Sequence, residues 1–506
     1  MGTSTYIERV PRGTPLFRFF EMIPGVVLWT ALSASVALSF VRPVWIVVFM
    51  ICFSFYWLLR VLYFIVYLVA SWGRFRRDIV RDWTALLDRD FPSAWKDVHH
   101  LVFLPTYTES VDVIRKTFVG LQRAHCPPGR MTVVLAGEAR AGADAFHARA
   151  RAIEDEFGDA FDILITVHPT DLPDEIPGKG SNLHYAGKQA LAHLAARDIR
   201  TDHVLVSAFD IDTVVHLQYF ACLTWTFLSH PDRYHTSYQP VALYNNNMWE
   251  SPSFMRVAAF GTTFWLLTEL MRPDRLFTFS SHSMPLTALV EVGFWEKDIV
   301  TEDSRIFLQC FIRYAGNYTV TPLFVPVSMY TAKAGTFWQS VVNLYKQQRR
   351  WMWGVEHFPY MVWHFFFGSG RTIALGKKVK YLWNLGEGMF SMATAPLLLF
   401  IFSRLPLAVL RRTGGDSTVI AQTAPHVLEW LLAVAMVGIF ASALFALTLI
   451  PKRPRSSHPA SFIVHVLQWL LLPFTLILFG AFPAIEAQTR LMIGKYLGFY
   501  VAKKSH

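Results

Sequence analysis

Two apolar runs open this chain, at residues 23–41 and 44–70. Each is close to the ~20 residues that a helix needs to cross a bilayer. Such a run has little choice of structure: away from water the backbone must satisfy its own hydrogen bonds, and a helix does so within one segment. Arg42-Pro43 reads as a tight break between the two. Arg74, Arg76, Arg77 and Arg81 come next, in close succession. Basic residues gather on the cytoplasmic side of membrane helices, so this cluster places the chain after it in the cytoplasm, against the plasma (inner) membrane. Composition agrees, with 53% hydrophobic and 17% charged residues, against about a quarter charged in an ordinary soluble chain. The net charge of +10 then points to membrane lipids and not to nucleic acid. No short apolar core with a small-residue cleavage site follows the N-terminus, so the first run is expected to remain as an anchor. Cys52, Cys126, Cys222 and Cys310 are scattered, with neither disulfide nor metal-ligand spacing.

From about 95 to 335 the pattern changes. "HLVFLPTY", "MTVVLAGE", "FDILITVH" and "HVLVSAFD" are continuous apolar strands ending in polar residues, and helical stretches separate them. That alternation predicts an α/β domain built on a mainly parallel sheet covered on both faces. Ligands of such sheets bind beyond the carboxyl ends of the strands. Residues 336–370 mix aromatic and basic side chains and are expected at the membrane interface. Apolar runs at 381–403, 426–450 and 461–482 predict a C-terminal helical bundle over 375–506. With the N-terminal hairpin (1–75) this makes five spans, and 352–368 is a candidate sixth. The basic loop 451–455 belongs in the cytoplasm, which leaves 404–412 on the wrong side unless it lies along the surface.

The chemistry sits in three pieces: "AFDID", "TEDS" and "QQRRW". Asp210 and Asp212 end a predicted strand, and two hard carboxylates there suit Mg²⁺ or Mn²⁺, which would offset the charge of a diphosphate. Asp303, in Thr301-Glu302-Asp303, could take the proton of an attacking sugar hydroxyl. The same residues could equally start a helix, with Thr301 as its cap. In Gln347-Gln348-Arg349-Arg350-Trp351, arginine matches phosphate oxygens and tryptophan offers a face to a sugar. Arg349 and Trp353 are read instead as interfacial, meeting lipid headgroups. Arg60 and Glu387 lie in or near spans, where they could pair, line a channel or, for Arg60, snorkel to the interface. His99-His100 reads as the start of a strand.

In that order, these motifs resemble the membrane-integrated family 2 glycosyltransferases, the group of cellulose, chitin and hyaluronan synthases. The resemblance runs from about Pro105 to Trp351. It implies a cytoplasmic GT-A (Rossmann-like) domain between an N-terminal hairpin and a C-terminal bundle, inversion at the anomeric carbon, and a nucleotide-sugar donor, a UDP-sugar first. Through "LPTYTE" it implies that Thr106, Tyr107 and Glu109 border the nucleotide. Through "PGKGSNLHYA" it makes Lys179 a phosphate contact and Asn182 its support. Asp210 and Asp212 would hold diphosphate and metal, Asp303 would be the base, and Gln347, Arg350 and Trp351 would hold the diphosphate and the acceptor, with Glu302 beside the acceptor.

Two departures stand out. "LAGEAR" has Glu138 where the family has an aspartate pair, and Glu138 would stand in for that pair at the donor. "FTFSSHSMP" has His282 where polymer-making members have a small residue near the acceptor. His282 is therefore expected to narrow the acceptor pocket or to pack against the sheet. The resulting expectation is a processive polysaccharide synthase that extrudes its product through its own helices. The alternative is a single transfer to a lipid or lipid-linked acceptor with the same residues.

Overall fold

A computed structural model describes residues 7–413, 419–450 and 461–498. The basic loop at 451–455 lies outside them. Thr14 opens the first helix, α1 (Pro15–Val41), by accepting a hydrogen bond from the Phe17 N–H, and Pro15 supplies a preset first turn. The chain breaks at Arg42, and Pro43 starts α2 (Pro43–Asp78) in the same way. With 36 residues, α2 is about 54 Å long, well beyond the ~30 Å of a bilayer core. Its surplus carries the arginines out to the sheet, where the Arg74 guanidinium lies 5.6 Å from the Phe324 ring.

The sheet has eight strands: β1 (His99–Pro105), β2 (Met131–Glu138), β3 (Asp162–His168), β4 (Val204–Ala208), β5 (Val214–Val215), β6 (Thr236–Leu243), β7 (His282–Pro285) and β8 (Thr319–Ser328). Their order is β3-β2-β1-β4-β7-β6-β8-β5. The first four are parallel and are the four runs expected to be strands. The other half is mixed: β7 is antiparallel to β4 and β6, β5 to β8, while β6 and β8 run parallel. The mainly parallel sheet is thus corrected to a mixed one. Pro240, Pro322 and Pro326 in β6 and β8 hide these strands from a propensity reading. Apolar layers cover both faces.

Four helices among the described residues are long and apolar enough to cross a membrane: Pro15–Val41, Pro43–Asp78, Leu375–Arg412 and Ile463–Met492. Residues 404–412 continue the third of these. The fifth expected span divides at Met436 into helices Val419–Ala435 and Val437–Leu449. The candidate sixth is a 3-10 turn followed by the ten-residue helix His357–Phe366, too short to cross.

A helix also went unread in the sequence. The helix Ser253–Leu270 belongs to the sheet domain by connection but packs against α2 and the last membrane helix. Phe254 stacks on Phe479 and Phe264 on Trp469. The buried Arg256 donates to Gln468 Oε1 (2.7 Å), the Ser251 carbonyl (2.9 Å) and Ser253 Oγ (2.9 Å). Replacing Arg256 with Ala leaves these acceptors unpaired in a dry interface, a loss of about 2–5 kcal/mol. Arg256→Ala is therefore expected to aggregate at a clearly lower temperature than wild type when detergent-purified protein is heated and followed by size exclusion.

Candidate active site

The carboxyl ends of β1, β2 and β4 open onto a cavity of about 1680 Å³ that continues down between the membrane helices. Every residue expected at the site lines it except His282. His282 begins β7 in register with Ala208 of β4, fully buried, and its Nδ1 meets the Phe279 carbonyl at 2.9 Å. Burial lowers its pKa to about 4, which keeps it neutral. It packs within the sheet and does not reach the cavity, which corrects its placement beside the acceptor.

The turn after β1 is held by Glu109, whose Oε2 accepts from Thr106 Oγ1 (3.0 Å) and the Tyr107 N–H (2.6 Å). Glu138, at the end of β2, is bound by Arg140 at 2.9 Å. Arg140 also lies 5.5 Å from the Tyr107 ring. The pair makes a flat, cationic flank to the pocket, and Arg140 is a residue that the motifs did not single out. Asn182 donates to the Ala136 carbonyl at 2.9 Å, tying the helix Lys179–Ala195 to β2.

The helix's first residue, Lys179, is the positive centre of the site. Its ammonium sits 2.7 Å from Asp210 Oδ1 and 3.8 Å from Glu302 Oε1. Burial works against that charge, but Asp210, Glu302 and Asp303 outweigh it and raise the pKa. Ser280 donates to the other Asp210 oxygen at 2.8 Å, and the Tyr330 N–H to Asp212 Oδ2 at 3.1 Å.

Glu302 and Asp303 form the first turn of the helix Glu302–Arg313, where the helix dipole favours negative charge. Thr301 does not cap it with its side chain; its hydroxyl donates to Glu356 at 2.6 Å. Ser304 meets His357 Nε2 at 2.8 Å, and Arg305 donates to His357 Nδ1 at 3.2 Å. Burial and Arg305 hold that imidazole neutral. The Thr-Glu-Asp turn is thereby anchored on the segment behind "QQRRW". Burial, then the neighbouring Asp303, raise the pKa of Glu302 to about 7. Burial also raises that of Asp303, against the pull of Lys179 and Arg350.

The helix Phe337–Met352 begins with a capping box between Thr336 and Gln339 and brings Gln347, Arg350 and Trp351 to the cavity. The Trp351 ring lies 5.9 Å from that of Tyr244. The interfacial reading of Arg349 and Trp353 is corrected: Arg349 donates to Glu486 at 2.6 Å, and Trp353 is buried with Val300 and Leu491. Both fasten the helix to the last membrane span.

Residues 205–482, more than half of the chain, match the family model described as glycosyl transferase family group 2. The chain belongs to that family. The matched stretch runs from β4 through Asp210, Asp212, Asp303 and Trp351 into the last membrane helix. No curated protein matches the sequence. Among solved structures, it is similar to the mannosyltransferase PcManGT from Pyrobaculum calidifontis in complex with GDP-Man and Mn²⁺. That likeness has 15% identity and a TM-score of 0.41, and covers 74% of this chain and 99% of the other. Another is S. aureus TarS 1-349 in complex with UDP-GlcNAc, with 11% identity, a TM-score of 0.30 and coverage of 70% and 93%.

In this glycosyltransferase the helix that begins at Lys179 packs closely against the Thr-Glu-Asp turn at Gly180. A Cβ there would come within 2.7 Å of the Glu296 carbonyl oxygen and 3.1 Å of Glu302 Cβ. Backbone cannot give way cheaply, so Gly180→Ala should cost about 1–3 kcal/mol and push Lys179 from Glu302. The expected outcome is folded protein of reduced thermal stability with weakened nucleotide binding, measured by calorimetry.

Proposed function

We propose that this glycosyltransferase transfers a sugar, with inversion, from a nucleotide-sugar (a UDP-sugar first) to a hydroxyl acceptor presented from the membrane. The reading is carried by one observation: Asp210, Lys179, Glu302 and Asp303 converge on a cavity that is continuous with the spaces between the membrane helices. The division of labour follows the segments 1–75, 95–335, 336–370 and 375–506, with the sheet domain on the cytoplasmic side.

Tyr107 and Arg140 offer a flat face to the base, and Thr106 and Glu109 border the nucleotide. Lys179 and Arg350 face the diphosphate. Asp303 takes the proton of the acceptor hydroxyl as its oxygen bonds to the anomeric carbon. The bond from that carbon to the diphosphate breaks, and the electron pair leaves with the phosphate oxygen. Trp351 and Glu302 hold the acceptor. Among the described residues there is no group of three or more metal-ligating side chains. Asp210 and Asp212 nevertheless fit Mg²⁺ or Mn²⁺, since such ions are commonly held by one or two carboxylates together with the phosphates of the substrate. When bound, the ion would neutralise charge on the leaving diphosphate.

Two kinds of acceptor suit this site. A processive synthase would pass a glycan into the cavity, whereas a single-transfer enzyme would receive a lipid-borne hydroxyl there. "QQRRW" and the C-terminal helices favour the first; the character of the deep cavity wall favours the second.

Purified protein in nanodiscs with Mg²⁺ or Mn²⁺, offered radiolabelled UDP- and GDP-sugars, should transfer label from one donor. Asp303→Asn should lose about 100-fold or more of that rate, and an unimpaired mutant would remove Asp303 from the chemistry. Burial raises the pKa of Asp303, which gives the sign of the expected pH dependence. A base works deprotonated, so activity falls as pH drops through its pKa, here above the usual aspartate value of about 4. Removing the ammonium that lowers it, in Lys179→Met, should move this acid limb of kcat/KM to higher pH.

A further inference from the structure

We infer that the acceptor is a lipid, whose apolar chain lies in the membrane half of the cavity while its headgroup hydroxyl reaches Asp303. The inference rests on the proposed glycosyl transfer at this site and names its substrate class.

The helix Leu375–Leu397 and the turn after it present one face to the cavity along its depth. Near the catalytic end that face carries polar groups, Asn384, Glu387 and Ser391, interspersed with Leu385 and Met389. Below Ser391 it changes to Met392, Ala395 and Leu399. The apolar part is about 12 Å deep at 1.5 Å per residue. Leu58 of α2 lines the same space, with Ser54 one turn deeper, and Leu470, Leu476 and Phe479 of the last membrane helix, with Thr475 among them, carry a mostly apolar lining round towards the helix Ser253–Leu270.

The polar groups at the boundary largely satisfy one another. Glu387 Oε1 accepts from Arg60 at 2.6 Å, from Ser391 at 2.7 Å and from Tyr56 at 3.3 Å. Arg60 also donates to Tyr56 at 2.9 Å and lies over the Trp57 ring. Below this girdle a hexose would bury several hydroxyls against aliphatic side chains, each without a partner and each costly. A hydrocarbon chain in the same space has no polar group to satisfy and gains from every methylene buried. The gradient from carboxylates through a self-paired ionic girdle to an aliphatic floor matches an amphiphile, with its reactive hydroxyl uppermost.

The test uses full-length protein in nanodiscs of phosphatidylethanolamine and phosphatidylglycerol, supplemented with total lipid from the expression host. The radiolabelled donor is the one that the UDP- and GDP-sugar panel identifies. Product is divided into chloroform–methanol-soluble and high-molecular-weight fractions, alongside donor hydrolysis and UDP binding. Label is expected in the organic fraction. Leu399→Trp, which fills the floor, should lower transfer at least about tenfold, and Leu399→Met, of similar volume, should keep it. Donor hydrolysis and UDP binding should stay at wild-type levels in both, which also reports that they fold. High-molecular-weight glycan, transfer undiminished in Leu399→Trp, or donor hydrolysis with no lipid product would each overturn the lipid assignment. Wild-type protein that neither binds UDP nor hydrolyses any donor would instead overturn the glycosyl-transfer reading beneath it.

Discussion

The contact between Lys179 and Asp210, with Glu302 a little further off, is the interaction on which the site depends. Glu302 and Asp303 come from one helix, Asp210 and Asp212 from the end of β4, and all four would repel one another in a partly dry pocket. A lone buried carboxylate avoids that cost by taking up a proton. Here a buried ammonium stands among the carboxylates and Arg350 adds a second cation. The balance is incomplete, because burial still raises Glu302 and Asp303. For a proposed base that incompleteness is useful, since a proton acceptor works best when its pKa approaches the working pH.

The same turn is tied to the membrane. Thr301 reaches Glu356, and Ser304 and Arg305 reach His357, in the segment directly behind the helix that carries Arg350 and Trp351. Arg349 then fastens that helix to Glu486 of the last membrane span. On the other side, Arg256 binds Gln468 of the same span. The sheet domain is thus held at two places to one membrane helix. A shift of that helix would move the Thr-Glu-Asp turn and the cavity wall together.

Much of this arrangement was legible in the sequence, and the reasons are local. The four parallel strands show as apolar runs because both faces of that half-sheet are buried, and residues at or just beyond the ends of β1, β2 and β4 line the cavity. The strands β6 and β8 were missed because their prolines argue against strand, and β7 is only four residues long. The helix Ser253–Leu270 was missed because Arg256 and Glu269 interrupt its apolarity and its partner, Gln468, is distant in the chain. Arg140 carries no motif, and only the fold brings it over Tyr107. His282 shows the opposite limit. A substitution in a motif suggests a change at the acceptor, but β7 turns that side chain into the sheet.

That limit bears on what motifs can say about acceptors at all. In the proposed reaction Asp210, Asp303 and Arg350 surround the place where a sugar leaves a diphosphate, and that chemistry is the same whether the hydroxyl belongs to a glycan or to a lipid. Their order along the chain therefore carries no information about what lies beyond them. Under the lipid proposal the acceptor class is set farther down, where Met392, Ala395 and Leu399 replace hydrogen-bonding side chains on one face of a membrane helix. In the sequence those residues are ordinary members of an apolar span, indistinguishable from their lipid-facing neighbours. Only their position below Glu387, on the wall of a cavity that begins at Asp303, gives them a bearing on specificity.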